Sequence, residues 1–214
     1  MTTLGRIGLL LILAAGPAGA PGAAAATPPP AAGDDVAATV QRVEDYLNGL
    51  DTIRARVVQL NPDGSTSTGM LYLDRPDKLR LDYDLPSRVE IVAKGWQLIY
   101  HDPTLNQLSY LRIKSTPLAF LLTKDVRLGG EVEVTGVERP PGEVRVTVAR
   151  RDDPGAGRVT LSFAEDPFEL LGWAVTDPQG LTTHVMLRDV EQGVALDSDV
   201  FKFLNPRVFG RERR

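Results

Sequence analysis

From residue 52 onward, apolar side chains recur at every second position in short runs, and each run ends at a turn signal. Ile53, Ala55 and Val57 alternate with Arg54 and Arg56, and Leu79, Leu81 and Tyr83 alternate with Arg80, Asp82 and Asp84. Successive side chains of a strand point to opposite faces, so a period of two gives each run one apolar and one polar face. The punctuation is equally regular, with Asn61-Pro62-Asp63-Gly64, Lys94-Gly95, Asp102-Pro103, Pro140-Pro141-Gly142, Asp153-Pro154-Gly155 and Asp177-Pro178-Gln179-Gly180. The remaining runs cover 69–73, Val89/Ile91/Ala93, Trp96/Leu98/Tyr100, 108–113, 131–137, 143–149, 158–163, 170–175 and 182–187. Eleven short strands in sequence predict an antiparallel meander rather than a helical bundle or a doubly wound α/β fold.

Two segments break the pattern. Val36, Val40, Val43, Leu47 and Leu50 recur at spacings of four and three, one face of a helix that Asp34 or Asp35 can cap. Ser115-Thr116-Pro117 precedes Leu118-Ala119-Phe120-Leu121-Leu122 and predicts a short apolar helix with Thr116 as N-cap and Pro117 at its first position. Eleven strands exceed what an open twisted sheet holds without curling. A sandwich, a closed barrel and a curled sheet all remain open. Helices across the mouth of a curled sheet enclose a concave apolar space, but the same helices could simply plug the core.

The first 26 residues have the build of an export leader: Arg6, then an apolar run over 7–15, then small-residue sites at Ala18-Gly19-Ala20 and Ala24-Ala25-Ala26. The apolar run is about half the ~20 residues a membrane span needs. We place cleavage at the later site, with a Pro/Ala tether over 27–33 and one domain over 34–214. An exported chain without Cys fits a bacterial periplasm.

Composition removes several classes. With no Cys there is no disulfide framework, no Cys-ligated metal, no thiol nucleophile and no Cys-built lipid anchor. The formal charge of -4 lacks the basic footprint of a nucleic-acid binder. His101 and His184 stand far apart without metal-ligand spacing, and no G-x-S-x-G elbow or nucleotide-binding loop occurs. No cofactor and no catalytic residue is expected.

Ordered motifs carry a family resemblance. Gly69-x-Leu71-x-Leu73-x-Arg75-Pro76-x-x-Leu79-Arg80-x-x-Tyr83-x-x-Pro86 resembles the signature strand pair of the LolA family of lipoprotein carriers. Ile91-Val92-x-x-Gly95-x-x-Leu98-x-x-x-Asp102-Pro103-x-x-x-Gln107 is similar to the family's next hairpin, and Ser115-Thr116-Pro117-x-x-x-Leu121-Leu122 to its mid-chain helix. Asp177-x-x-Gly180 and Leu196-x-x-x-x-Phe201-x-Phe203-x-x-Pro206 resemble its last strands. After Pro206 the chain departs from the family's usual ending and finishes in Arg211-Glu212-Arg213-Arg214.

The resemblance implies a mainly β fold with some α structure: an unclosed antiparallel β-barrel covered by the N-terminal helix and a short mid-chain lid helix. It implies a monomeric periplasmic chaperone that takes acylated lipoprotein cargo from an inner-membrane ABC-type exporter to an outer-membrane lipoprotein receptor. Carriage of another envelope lipid, or a lipoprotein-sensing interaction domain, are the alternatives. It also implies that Arg75 latches the lid by reaching carbonyls of the covering helices. Leu47, Leu50, Leu71, Leu79, Leu81, Tyr83, Ile91, Leu98, Tyr100, Leu118, Phe120, Leu121 and Leu122 are the candidate acyl-chain-binding residues.

Overall fold

The structure, a computed structural model, describes residues 33–205. The expected leader, all of the tether but Gly33, and the Arg-rich ending lie outside the described residues. Helix α1 spans Gly33–Asn48. The strands are β1 (Thr52–Leu60), β2 (Thr66–Asp74), β3 (Lys78–Tyr83), β4 (Glu90–Lys94), β5 (Gln97–Asp102), β6 (Gln107–Arg112), β7 (Val132–Glu138), β8 (Glu143–Arg150), β9 (Arg158–Ala164), β10 (Glu169–Thr176) and β11 (Thr182–Gln192).

All eleven strands join one antiparallel sheet in the order β6-β5-β4-β3-β2-β1-β11-β10-β9-β8-β7. Strands consecutive in sequence pair with each other except β6 and β7, and at the centre β1 also pairs with β11. β6 and β7 are therefore the two edges, and the sheet does not close. The connection over 113–131 runs from one edge to the other. Strand twist curls so wide a sheet. Leu81 of one arm and Val146 and Leu161 of the other consequently share one buried core.

Close approaches sharpen the curl. At Gly69 a side chain would run into the Asp82 carbonyl of β3, so glycine lets β2 and β3 lie together. Gly172, at φ +151°, sits at the bulge of β10 between Leu170 and Gly172 in its pairing with β9, where a Cβ would meet the Val185 carbonyl.

Three local expectations differ from the structure. Asp34 and Asp35 both lie inside α1, which begins at Gly33, rather than capping it, and the Asp35 carboxylate accepts a hydrogen bond from Arg139 at 2.5 Å. Trp96 is not in the fifth strand. Lys94 pairs with Gln97, leaving Gly95-Trp96 as a two-residue hairpin loop with Gly95 at φ +63° and Trp96 71% exposed. The mid-chain segment is not an α-helix but two 3-10 turns, Ile113–Ser115 and Ala119–Leu122. Thr116 turns backward, with both its N–H and its hydroxyl donating to the Ile113 carbonyl, so it closes the first turn instead of capping a helix. The Thr123 hydroxyl donates to the Phe120 carbonyl and ends the second turn after four residues.

Candidate functional site

At one end of the curled sheet a cavity of about 90 Å³ lies beneath the crossover. Its wall comes from alternate inward positions: Ile53 on β1, Leu71 and Leu73 on β2, Leu79 and Leu81 on β3, Ile91 on β4 and Leu98 on β5. From the far arm come Leu170 and Trp173 on β10 and Val185 and Leu187 on β11. Leu47 and Leu50 close it from the end of α1, and Thr116, Leu118, Leu121 and Leu122 from the crossover. Leu50 stands just beyond the helix, which ends at Asn48.

Arg75, in the β2–β3 turn, is the one charged residue among those lining the cavity. Its Nη1 donates to the carbonyls of Leu47 and, at 3.3 Å, Leu50. Its Nη2 donates to the carbonyls of Thr123 at 2.7 Å and Lys124 at 3.3 Å. Orphan carbonyls at a helix end want such a donor, and the planar guanidinium fork serves two segments at once. Burial lowers the Arg75 pKa below its usual value, and the nearby charges of Asp51 and Asp125 only partly offset this. Its Nε is buried without a partner.

The two covering segments are held differently. α1 is fixed to β9 and β10 by an aromatic cluster. Tyr46 meets Phe163 and Phe168 edge-on at 5.6 and 5.7 Å, those two rings stack at 4.9 Å, and the Arg42 guanidinium lies 4.1 Å above Phe168. The Tyr46 hydroxyl also accepts from the Leu170 N–H and the Gln192 side chain. The end of the crossover is clamped to this helix. Asn48 donates to the Val126 carbonyl at 3.0 Å and accepts the Val126 N–H at 2.8 Å, and Glu44 accepts the Leu128 N–H at 2.6 Å. Between Ile113 and Val126, polar ties run from the Ile113 N–H to the Trp96 carbonyl, from the Ser115 hydroxyl to the Arg112 carbonyl at the end of β6, from the Asp77 N–H to the Leu122 carbonyl, through an exposed Lys114–Glu131 ion pair at 3.8 Å, and through Arg75.

Of the residues singled out in the sequence, Arg75, Leu47, Leu50, Leu71, Leu79, Leu81, Ile91, Leu98, Leu118, Leu121 and Leu122 come together on this cavity. Tyr83, Tyr100 and Phe120 are buried in the same core but are not among its lining residues. Tyr83 and Tyr100 follow Leu81 and Leu98 one inward position deeper, and Phe120 turns to the other side of the crossover. Burial raises the pKa of both tyrosines, that of Tyr100 to about 12 with help from Asp102. Sequence reasoning missed Ile53, Leu73, Thr116, Leu170, Trp173, Val185 and Leu187. Alternation marked most of these as inward-facing, but the β1–β11 pairing that brings the far arm to the cavity has no local signal.

The family model described as "Outer membrane lipoprotein carrier protein LolA" matches residues 48–204. The chain belongs to the LolA family. An outer-membrane lipoprotein carrier protein of Methylococcus capsulatus is 28% identical over 174 residues, covering 77% of this chain and 83% of that relative. One from Pseudomonas paraeruginosa is 29% identical over 179 residues, covering 79% and 85%. A solved LolA superfamily protein from Nitrosomonas europaea superposes at a TM-score of 0.44 with 12% identity, covering 77% of this chain and 97% of that one. Among the described residues no helix is long and apolar enough to cross a membrane, and no group of His, Asp and Glu is placed to hold a metal ion.

Proposed function

We propose that this LolA-family chain is a monomeric periplasmic carrier that shelters the acyl chains of lipoproteins in its cavity and moves them from the inner to the outer membrane. Its partners on this reading are the acylated cargo, an inner-membrane ABC-type exporter that supplies the energy for loading, and an outer-membrane lipoprotein receptor. The role is carriage rather than catalysis.

The observation that carries the reading is the pairing of a hydrocarbon-lined cavity with a single cation at its rim, Arg75, bonded to carbonyls of both covering segments. Acyl tails offer no hydrogen-bond groups, and each CH₂ left in water costs about 0.8 kcal/mol. A wall of leucines therefore supplies what the tails need. It is also a closed state. The space of about 90 Å³ falls well below the roughly 300–1,000 Å³ of a pocket that takes a drug-sized ligand, too little for the acyl chains of a lipoprotein.

Loading therefore requires a covering segment to move, and the crossover is the one built to do so. α1 is anchored by Tyr46, Phe163 and Phe168, and Val126 is clamped by Asn48. That leaves the stretch between Ile113 and Val126 as a flap, and Arg75 as the latch that spans from the β2–β3 turn to the flap and to the end of α1. Tails pushing Leu118, Leu121 and Leu122 outward would break the Thr123 and Lys124 bonds first.

The test is a synthetic triacylated lipopeptide mixed with the purified protein. Native mass spectrometry should find a one-to-one complex, and the protein should hand the lipopeptide on to acceptor liposomes. A protein that leaves the lipopeptide in its own micelles refutes the proposal.

A further inference from the structure

The cavity has a floor, and the floor is polar. Along β3 the inward positions run Leu79, Leu81, Tyr83, and the lining stops at Leu81. Along β11 they run Leu187, Val185, Thr183, and the lining stops at Val185. Below these leucines and valines the Tyr83 hydroxyl donates to the Gln59 side-chain carbonyl at 2.5 Å. Gln59 in turn donates to Asn61 at 2.6 Å, and Asn61 donates to Ser65 at 3.0 Å. Gln59, Asn61 and Tyr83 are all more than nine-tenths buried, and Thr183 keeps a buried hydroxyl without a partner. A hydrogen-bonded chain in a low-dielectric interior resists separation, because each bond broken strands a buried polar group. Gly69 lies directly opposite Tyr83 and presents no side chain across from the ring.

We infer that Tyr83, braced by Gln59, sets the depth of the cavity and so the length of acyl chain that the protein accepts. The inference rests on the carrier reading above and adds a selectivity to it. Displacing the flap widens the cavity at its mouth. The floor lies at the far end of β1 and β3, beyond the wall positions Ile53, Leu79 and Leu81 that share the cavity with the flap leucines, so opening at the mouth leaves it in place. A tail that outgrows the depth has to bend back or leave its end outside. Beyond that length added CH₂ groups bring no further burial.

The experiment titrates a homologous series of saturated fatty acids, from decanoic to eicosanoic, into the purified protein. Wild-type affinity should climb about fourfold per added CH₂ and then level off. In Tyr83→Ala the levelling should move to longer acids, so the longest member binds at least about fourfold tighter than to the wild type. Tyr83→Phe, which keeps the ring, should level off where the wild type does. Leu81→Phe raises the floor and should level off at shorter acids, which keeps the question decidable if Tyr83→Ala does not fold. Wild-type affinity that never levels, or a levelling point that Leu81→Phe and Tyr83→Ala leave unchanged, overturns the inference while the carrier reading stands. Failure of the wild type to bind any of the acids also overturns the inference, while the lipopeptide experiment above decides the carrier reading by itself.

Discussion

Replacing Arg75 with leucine should make the protein hold its cargo too tightly. The guanidinium makes two short bonds, to the Leu47 and Thr123 carbonyls, and two at 3.3 Å, to Leu50 and Lys124. A hydrogen bond to a charged group contributes about 1.5–3 kcal/mol, so the short pair has a gross value of about 3–6. Burial without a bonded carboxylate takes a large part of this back, as the lowered Arg75 pKa indicates. A net latch of about 1–3 kcal/mol remains, which shifts the closed-to-open equilibrium by about 5- to 150-fold. On the proposed carrier reading cargo binds the open state, so its apparent affinity would be the intrinsic one reduced by the fraction of molecules open. Removing the latch removes that reduction. R75L should therefore bind a fluorescent acyl probe up to about 5- to 150-fold more tightly and release it to liposomes correspondingly more slowly. Unchanged affinity and unchanged release in a folded R75L would refute the latch.

Two other substitutions test the wall and the surface. Leu81→Glu puts a carboxylate on the apolar wall at a position 5% exposed, which should weaken acyl-probe binding by about 2–4 kcal/mol with strand content retained by circular dichroism. Burial raises that new group's pKa, so acidification should restore part of the binding. Asp84 accepts from Arg56 at 2.6 Å and Thr68 at 2.7 Å, which holds its carboxyl below the usual carboxylate value. Both partners of this ion pair are 40% exposed, so Asp84→Asn should cost no more than about 0.5 kcal/mol at neutral pH. The folded-state pKa is the lower one, so the contribution is complete above about pH 4 and is lost as pH falls through the folded value. The melting-temperature gap between wild type and D84N should close over that acid range.

The strands were legible because burial enforces the period of two. Ile53, Leu71, Leu81, Ile91 and Leu98 are inward-facing in the sequence and in the structure alike. What the sequence hid is non-local. The pairing of Ile53 through Leu60 with the last strand joins residues more than a hundred apart, and it alone brings Trp173 and Val185 to the cavity. Alternation also says that Tyr83 faces inward without saying how deep. Depth follows from register against Gly69 and from the bond to Gln59. The crossover misled for a local reason: Thr116 and Pro117 have the composition of a helix start, but the threonine hydroxyl found the Ile113 carbonyl behind it first. Arg75 stood out in the sequence through the family resemblance alone, since its four acceptors are backbone carbonyls that no side-chain pattern reveals.

On this reading acylated polypeptides occupy the space under the 114–125 flap. The most direct measurement is mass spectrometry of what accompanies the protein when R75L is purified from the periplasm of its own host without detergent. Triacylated polypeptides in one-to-one stoichiometry, lost when Leu81→Glu is added, are the predicted result. Free phospholipid in their place, or a preparation whose bound lipid is unaffected by Leu81→Glu, would contradict it.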